Sequence, residues 1–69
     1  MVNTPYLDSK IKESGKKREY LAEKCGLSRQ GFYLKCIGKQ IFNADEIKVL
    51  CKELYIKDLK EKEKIFFAN

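Results

Sequence analysis

The chain contains no histidine and no tryptophan among its 69 residues, and its one proline is Pro5. Without histidine it has no side chain that ordinarily exchanges protons near neutrality, and it lacks the commonest metal-binding side chain. Its three cysteines, Cys25, Cys36 and Cys51, are far apart and odd in number. They form no C-x-x-C pair, which argues against zinc, and they do not suggest a disulfide framework. All three fall on helical apolar stripes, where a free cysteine behaves as a small hydrophobe. Lys35 and Lys39 flank Cys36 and would lower a thiol pKa, but no base accompanies it, so it reads as structural. There is also no glycine-rich phosphate loop and no carboxylate pair beside a nucleophile, so an enzyme is not expected. No apolar run approaches the ~20 residues that span a bilayer, and no signal segment opens the chain. The expectation is a cytoplasmic protein with no membrane partner, metal, cofactor or small-molecule ligand.

What the chain does contain is a segregated positive charge. The net charge is +5, but between Lys10 and Lys39 nine cations face only Glu13, Glu19 and Glu23, while the remaining residues hold six lysines against seven acids. A solvated lysine-rich surface has no reason to divide in this way, so the division points to a polyanion on one face. The hydrophobic fraction of 43% argues against disorder. A single domain spanning residues 1–69 is expected. A chain this short buries only roughly 60% of its unfolded surface, so self-association would help it.

Periodicity and punctuation predict five helices and no strand. Thr4-Pro5 reads as a cap followed by a first helical residue, Leu7 and Ile11 lie one turn apart, and Gly15 ends the first helix. The second helix is expected from about Arg18 to Cys25 and the third from about Arg29 to Cys36, with Phe32 and Cys36 inward. Asn43-Ala44-Asp45-Glu46 has the form of a capping box. Ile47, Leu50, Cys51 and Leu54 then give an apolar stripe to the fourth helix. Asp58 reads as the cap of a fifth helix over about 58–67. Its run Lys60 to Lys64 reads as a solvated face with an Asp58–Lys62 pair. Ile65, Phe66 and Phe67 need a covering surface, either this domain's own core or the seam of a homodimer.

Within this pattern, residues 18–37 have the spacing of a helix-turn-helix. Leu21 and Ala22 share a face with Cys25. Gly26 takes the left-handed turn, Leu27 plugs inward and Ser28 caps the next helix. A helical hairpin in any small all-α domain has the same outline, but here charge and spacing agree on DNA. Arg29 and Gln30 are residue types that read guanine and adenine edges, with Tyr33 and Leu34 one turn further on to meet a thymine methyl or the sugar-phosphate chain. Lys17 and Arg18 sit at a helix amino end, where cations are disfavoured by roughly 0.3–1 kcal/mol each and no side chain suited to capping is present. Either this is tolerated misfit or an anion belongs there, and a DNA phosphate fits the second case. Lys39 anchors the opposite flank. Lys35 lies nearer the core side, its stem over apolar surface and its ammonium reaching out to phosphate.

The residues Leu21-Ala22, Gly26-Leu27-Ser28, Phe32 and Gly38, with the fourth-helix stripe, resemble the Cro and phage-repressor (Xre-type) helix-turn-helix family. Ser28 to Phe42 and the ending Glu63 to Ala68 are similar to a set of short phage-encoded proteins from Gram-positive hosts. The resemblance implies a five-helix, lambda-repressor-like domain in a bacterial host cell. It would bind an operator in double-stranded DNA, often as a homodimer, and regulate transcription as a Cro-like repressor. Base reading would fall to Ser28, Arg29, Gln30 and Leu34, with Tyr33 beside them, and a phosphate contact to Arg18. Two departures stand out: Lys35 occupies a usually apolar position, and Lys17 occupies a usual cap position. The alternative is a protein-interaction module that binds a host protein through its basic face and apolar C-terminus.

Overall fold

The computed structural model describes residues 2–67, so Met1, Asn69 and the Ala68 of the terminal I-F-F-A motif lie outside the described residues. It is all-α: α1 (Thr4–Ser14), α2 (Arg18–Lys24), α3 (Arg29–Cys36), α4 (Ala44–Glu53) and α5 (Leu59–Phe66). Among the described residues there is no strand.

Local chemistry sets each boundary. The Asn43 side-chain Oδ1 accepts the Glu46 N–H at 2.8 Å, and the Glu46 carboxylate accepts the Asn43 N–H at 2.9 Å, which completes the expected capping box. The Asp58 carboxylate accepts the Lys60 N–H and so opens α5. That bond takes the place of the expected Asp58–Lys62 pair. Asn3, not Thr4, caps α1: its side chain accepts the Tyr6 N–H, and Pro5 sits in the first turn, where its missing N–H costs nothing. The Thr4 hydroxyl instead donates to the Cys36 carbonyl at 3.0 Å and ties α1 to the end of α3.

Three helices close with the same pair of bonds. After α2, Leu27 N–H donates to Ala22 C=O and Gly26 N–H to Glu23 C=O. After α3, Lys39 N–H donates to Leu34 C=O and Gly38 N–H to Lys35 C=O. After α4, Ile56 N–H donates to Cys51 C=O and Tyr55 N–H to Lys52 C=O. This termination requires one left-handed residue, which Gly26 and Gly38 supply without a Cβ clash. At the third site Tyr55 holds φ 58°, an outlier for a bulky side chain.

The core draws on every helix: Leu7 and Ile11, Leu21 and Ala22, Phe32 and Cys36, Ile47 and Leu50, Ile65 and Phe66, joined by Phe42, Leu54 and Ile56 from the connections. Phe42 stands edge-on to Phe32 at 6.1 Å and to Phe66 at 5.7 Å, a geometry aromatic quadrupoles favour. Ile65 and Phe66 therefore dock onto the chain's own core, while Phe67 stays 56% exposed. The Asn3 N–H donates to the Ile65 carbonyl at 2.6 Å and seals the N-terminal segment to α5. The charged run on α5 is not wholly solvated. Glu61 accepts the Tyr6 hydroxyl at 2.9 Å and lies 3.3 Å from the Lys10 ammonium, which locks α1 to α5. No helix of the described residues is long and apolar enough to cross a membrane.

Candidate nucleic-acid interface

The turn Cys25–Ser28 sets α2 against α3, and the two amino ends open onto one cleft. Leu21 and Ala22 of α2 and Phe32 of α3 are buried, so the opposite sides of both helices face solvent. Ser28 caps α3, its hydroxyl oxygen accepting the Gly31 N–H at 3.0 Å. A Cβ on Gly31 would lie 3.1 Å from that oxygen, so Gly31 leaves room for the cap. The cleft measures about 560 Å³ and is lined by Lys17, Arg18, Glu19, Arg29, Gln30, Phe32 and Tyr33. Five expected contact residues (Lys17, Arg18, Arg29, Gln30 and Tyr33) therefore share one surface.

The other four expected residues are placed differently. Ser28 is exposed but serves as the cap. Leu34 is half-buried, and its carbonyl accepts the Lys39 and Gln40 N–H groups at 2.9 and 3.2 Å. Lys39 is exposed immediately beyond α3, its backbone fixed by that cap. Lys35 does not fit the phosphate set. Its ammonium turns inward to Glu46 Oε1 at 2.6 Å, with side-chain exposures of 14% and 7%. The lysine stem does lie over apolar surface, but a carboxylate eleven residues on captures the charge that was expected to reach outward. Burying either charge alone costs several kcal/mol, so the pair holds together.

Two acids without a role in the sequence pattern pair with the arginines of the cleft, Glu19 on its lining and Asp8 beside it. Asp8 Oδ1 of α1 accepts from Arg18 Nη2 at 2.7 Å, and Glu19 Oε1 lies 3.5 Å from Arg29 Nη2. The misfit expected at the amino end of α2 is thus partly relieved from within. Arg18 has its own anion, and Glu19 puts an acid in the first turn, while Lys17 at the cap position makes no side-chain capping bond. Glu19 was detectable as a first-turn acid beside Arg18. Asp8, ten residues away on another helix, left no local signal.

Among the described residues no three histidine, cysteine or acidic side chains converge as a metal site. Burial pushes the Cys25 thiol up to about 11 and Cys36 up to about 12, and it raises Cys51 as well, so all three remain protonated at neutral pH. On the far side of α2, Lys16 donates to the Glu53 carbonyl at 2.7 Å and to its carboxylate at 2.9 Å, and sits 5.0 Å from the Tyr55 ring centroid. That lysine caps α4 and is not available to the cleft.

A separate uncharged groove runs between the α3–α4 connection and the carboxyl end of α5. It is lined by Val2, Gly38, Gln40, Ile41, Phe42, Ile47, Phe66 and Phe67. Ile41 stands 89% exposed on its rim. In comparisons with known proteins, no family model, curated protein or solved structure matches this chain.

Proposed function

We propose that this chain binds double-stranded DNA sequence-specifically and acts as a transcriptional regulator of the Cro-like kind. The observation that carries the reading is the shared cleft. The exposed Arg29, Gln30 and Tyr33 of α3 stand across from Lys17 and Arg18 at the start of α2. In this reading α3 enters the major groove, with Arg29 and Gln30 meeting base edges. Lys17 and Arg18 hold one phosphate strand, and Lys39, set by the α3 cap, holds the other flank. Tyr33, exposed one turn along, packs on a thymine methyl or on sugar. Ser28 and Leu34 serve mainly to place the helix. The segregated positive charge supports the same face.

The uncharged groove supports a homodimer in the same reading. Two copies that each carry +5 repel except where charge is absent, and Ile41 and Phe67 present apolar surface there. A second reading, a module that binds a host protein, is favoured by that same exposed pair.

Selection from random duplex DNA at about 150 mM salt tests the proposal. A recovered inverted repeat with half-sites about one helical turn apart is expected. Arg29→Ala should then weaken the selected duplex by ~1–3 kcal/mol and relax preference at one base. Retention that responds to salt but not to sequence would overturn it and favour the protein partner.

A further inference from the structure

Both arginines of the cleft already hold a carboxylate. Arg18 donates to Asp8 at 2.7 Å, and Arg29 lies 3.5 Å from Glu19. We propose that Glu19 is a specificity-determining residue that occupies Arg29 in place of a base edge and makes binding to unmatched duplex unfavourable, while Asp8 competes with phosphate for Arg18 and weakens every duplex alike. The proposal rests on the DNA-binding reading above.

Stability gives little reason for these pairs. Both are solvent-exposed, and exposed ion pairs contribute little to folding. Asp8 lies beyond the first turn of α1, where a negative charge would complement the helix dipole. What a carboxylate does offer an arginine is a pair of acceptor atoms, as two phosphate oxygens or the O6 and N7 of a guanine edge do to the same fork. Approaching DNA must therefore displace Asp8 from Arg18 and bring its phosphates toward Glu19. Lys17 and Lys39 have no ion-pair partner among the described residues, so they attract any duplex. Only a matched base gives Arg29 a bidentate partner in exchange for Glu19. An unmatched site leaves that loss uncompensated, so Glu19 penalises wrong sequences more than right ones, whereas the phosphate that replaces Asp8 at Arg18 is the same in both.

The experiment compares Asp8→Asn and Glu19→Gln with Glu63→Gln, a variant of equal charge change on α5 outside the cleft. Affinity is measured for the selected duplex and for a random-sequence duplex of the same length at about 150 mM salt. Both Asp8→Asn and Glu19→Gln should strengthen random-duplex binding, by up to about fivefold, but only Glu19→Gln should narrow the selected-to-random ratio. Glu63→Gln should change either affinity by less than about twofold, because charges beyond a Debye length are largely screened. Equal gains in all three variants would mean that net charge alone acts, and would overturn the proposal. So would unchanged random-duplex binding in the two cleft variants. A parent protein with no preference for the selected duplex overturns the DNA reading and this proposal together. A parent whose preference Arg29→Ala abolishes, while Asp8→Asn and Glu19→Gln behave as Glu63→Gln, overturns only this proposal. Circular dichroism of each variant confirms the fold, and Glu19→Gln stands alone should Asp8→Asn unfold.

Discussion

Replacing Phe66 and Phe67 with alanine, one at a time, tests how α5 closes the domain. Phe66 is buried, with its ring edge-on to Phe42 at 5.7 Å, and Phe42 in turn meets Phe32. Truncating such a ring to alanine removes the transfer term and the aromatic pair and leaves a cavity, typically ~3–5 kcal/mol in total. A domain of this length has only about 3–10 kcal/mol of stability to lose. Phe66→Ala should therefore leave the protein marginally folded or unfolded at room temperature. Phe67 is more than half exposed and should cost under ~0.5 kcal/mol in a dilute monomer. Urea titrations followed by far-ultraviolet circular dichroism measure both. They are repeated over a range of protein concentrations, because dimerisation makes stability depend on concentration. If Phe67 lies in a homodimer seam, Phe67→Ala abolishes that dependence without altering the dilute limit. A loss below ~1 kcal/mol for Phe66→Ala would refute the docking of α5, and equal losses at the two positions would refute its register.

Lys17→Ser should supply the missing side-chain cap of α2 and stabilise the protein by ~0.5–1 kcal/mol in thermal melts, while lowering the salt slope of DNA binding by about one phosphate contact. Tyr55→Gly should relieve the left-handed strain by ~1 kcal/mol, net of the lost stacking on Lys16, and raise the melting temperature. A lower melting temperature would mean that the ring contributes more than the strain costs. The hydrogen bond from Lys16 holds the Glu53 carboxyl below its ordinary 4.5, and the bond to Glu53 holds the Lys16 amine above its ordinary 10.5. The stabilisation is then fully present between those two values, lost as pH falls through the lowered Glu53 value and lost as it rises through the raised Lys16 value. The melting-temperature gap between the parent and Glu53→Gln should accordingly stay constant near neutrality and close in acid. A gap that widens in acid contradicts that assignment.

Features carried by neighbouring residues were legible in the sequence, and features that depend on partners distant in the chain were not. The Asn43–Glu46 box, the Asp58 cap and the glycines at 26 and 38 each act within four or five residues. The ends of α2 and α3 and the starts of α4 and α5 follow from them. The cap of α1 is Asn3 and not Thr4, although Thr4-Pro5 is itself a good start signal, because the Asn3 side chain accepts the Tyr6 N–H while the Thr4 hydroxyl reaches to Cys36. Lys35 looked like a free cation because Glu46 lies outside its own helix. Glu61 looked solvated because Tyr6 and Lys10 come from the other end of the chain. Tyr55 gave no turn signal at all, since the bonds that close α4 hold it in a conformation its own side chain disfavours.

The same distinction bears on the cleft. In the sequence, the local sign of an external anion is the pair Lys17-Arg18 at a helix amino end, with Lys16 just before it. In the folded chain Lys16 caps α4, Arg18 holds Asp8, and only Lys17 is left without a partner among the described residues. The DNA proposal therefore rests on the face of α3, where Arg29, Gln30 and Tyr33 are exposed together. A protein that only needed to attract a polyanion would gain from leaving its arginines unpaired. Pairing them lowers affinity for every duplex, and that loss is useful only if the right sequence returns more than the wrong one. Internal pairing of Arg29, the arginine proposed to read a base, therefore fits discrimination between sequences better than general adhesion to nucleic acid.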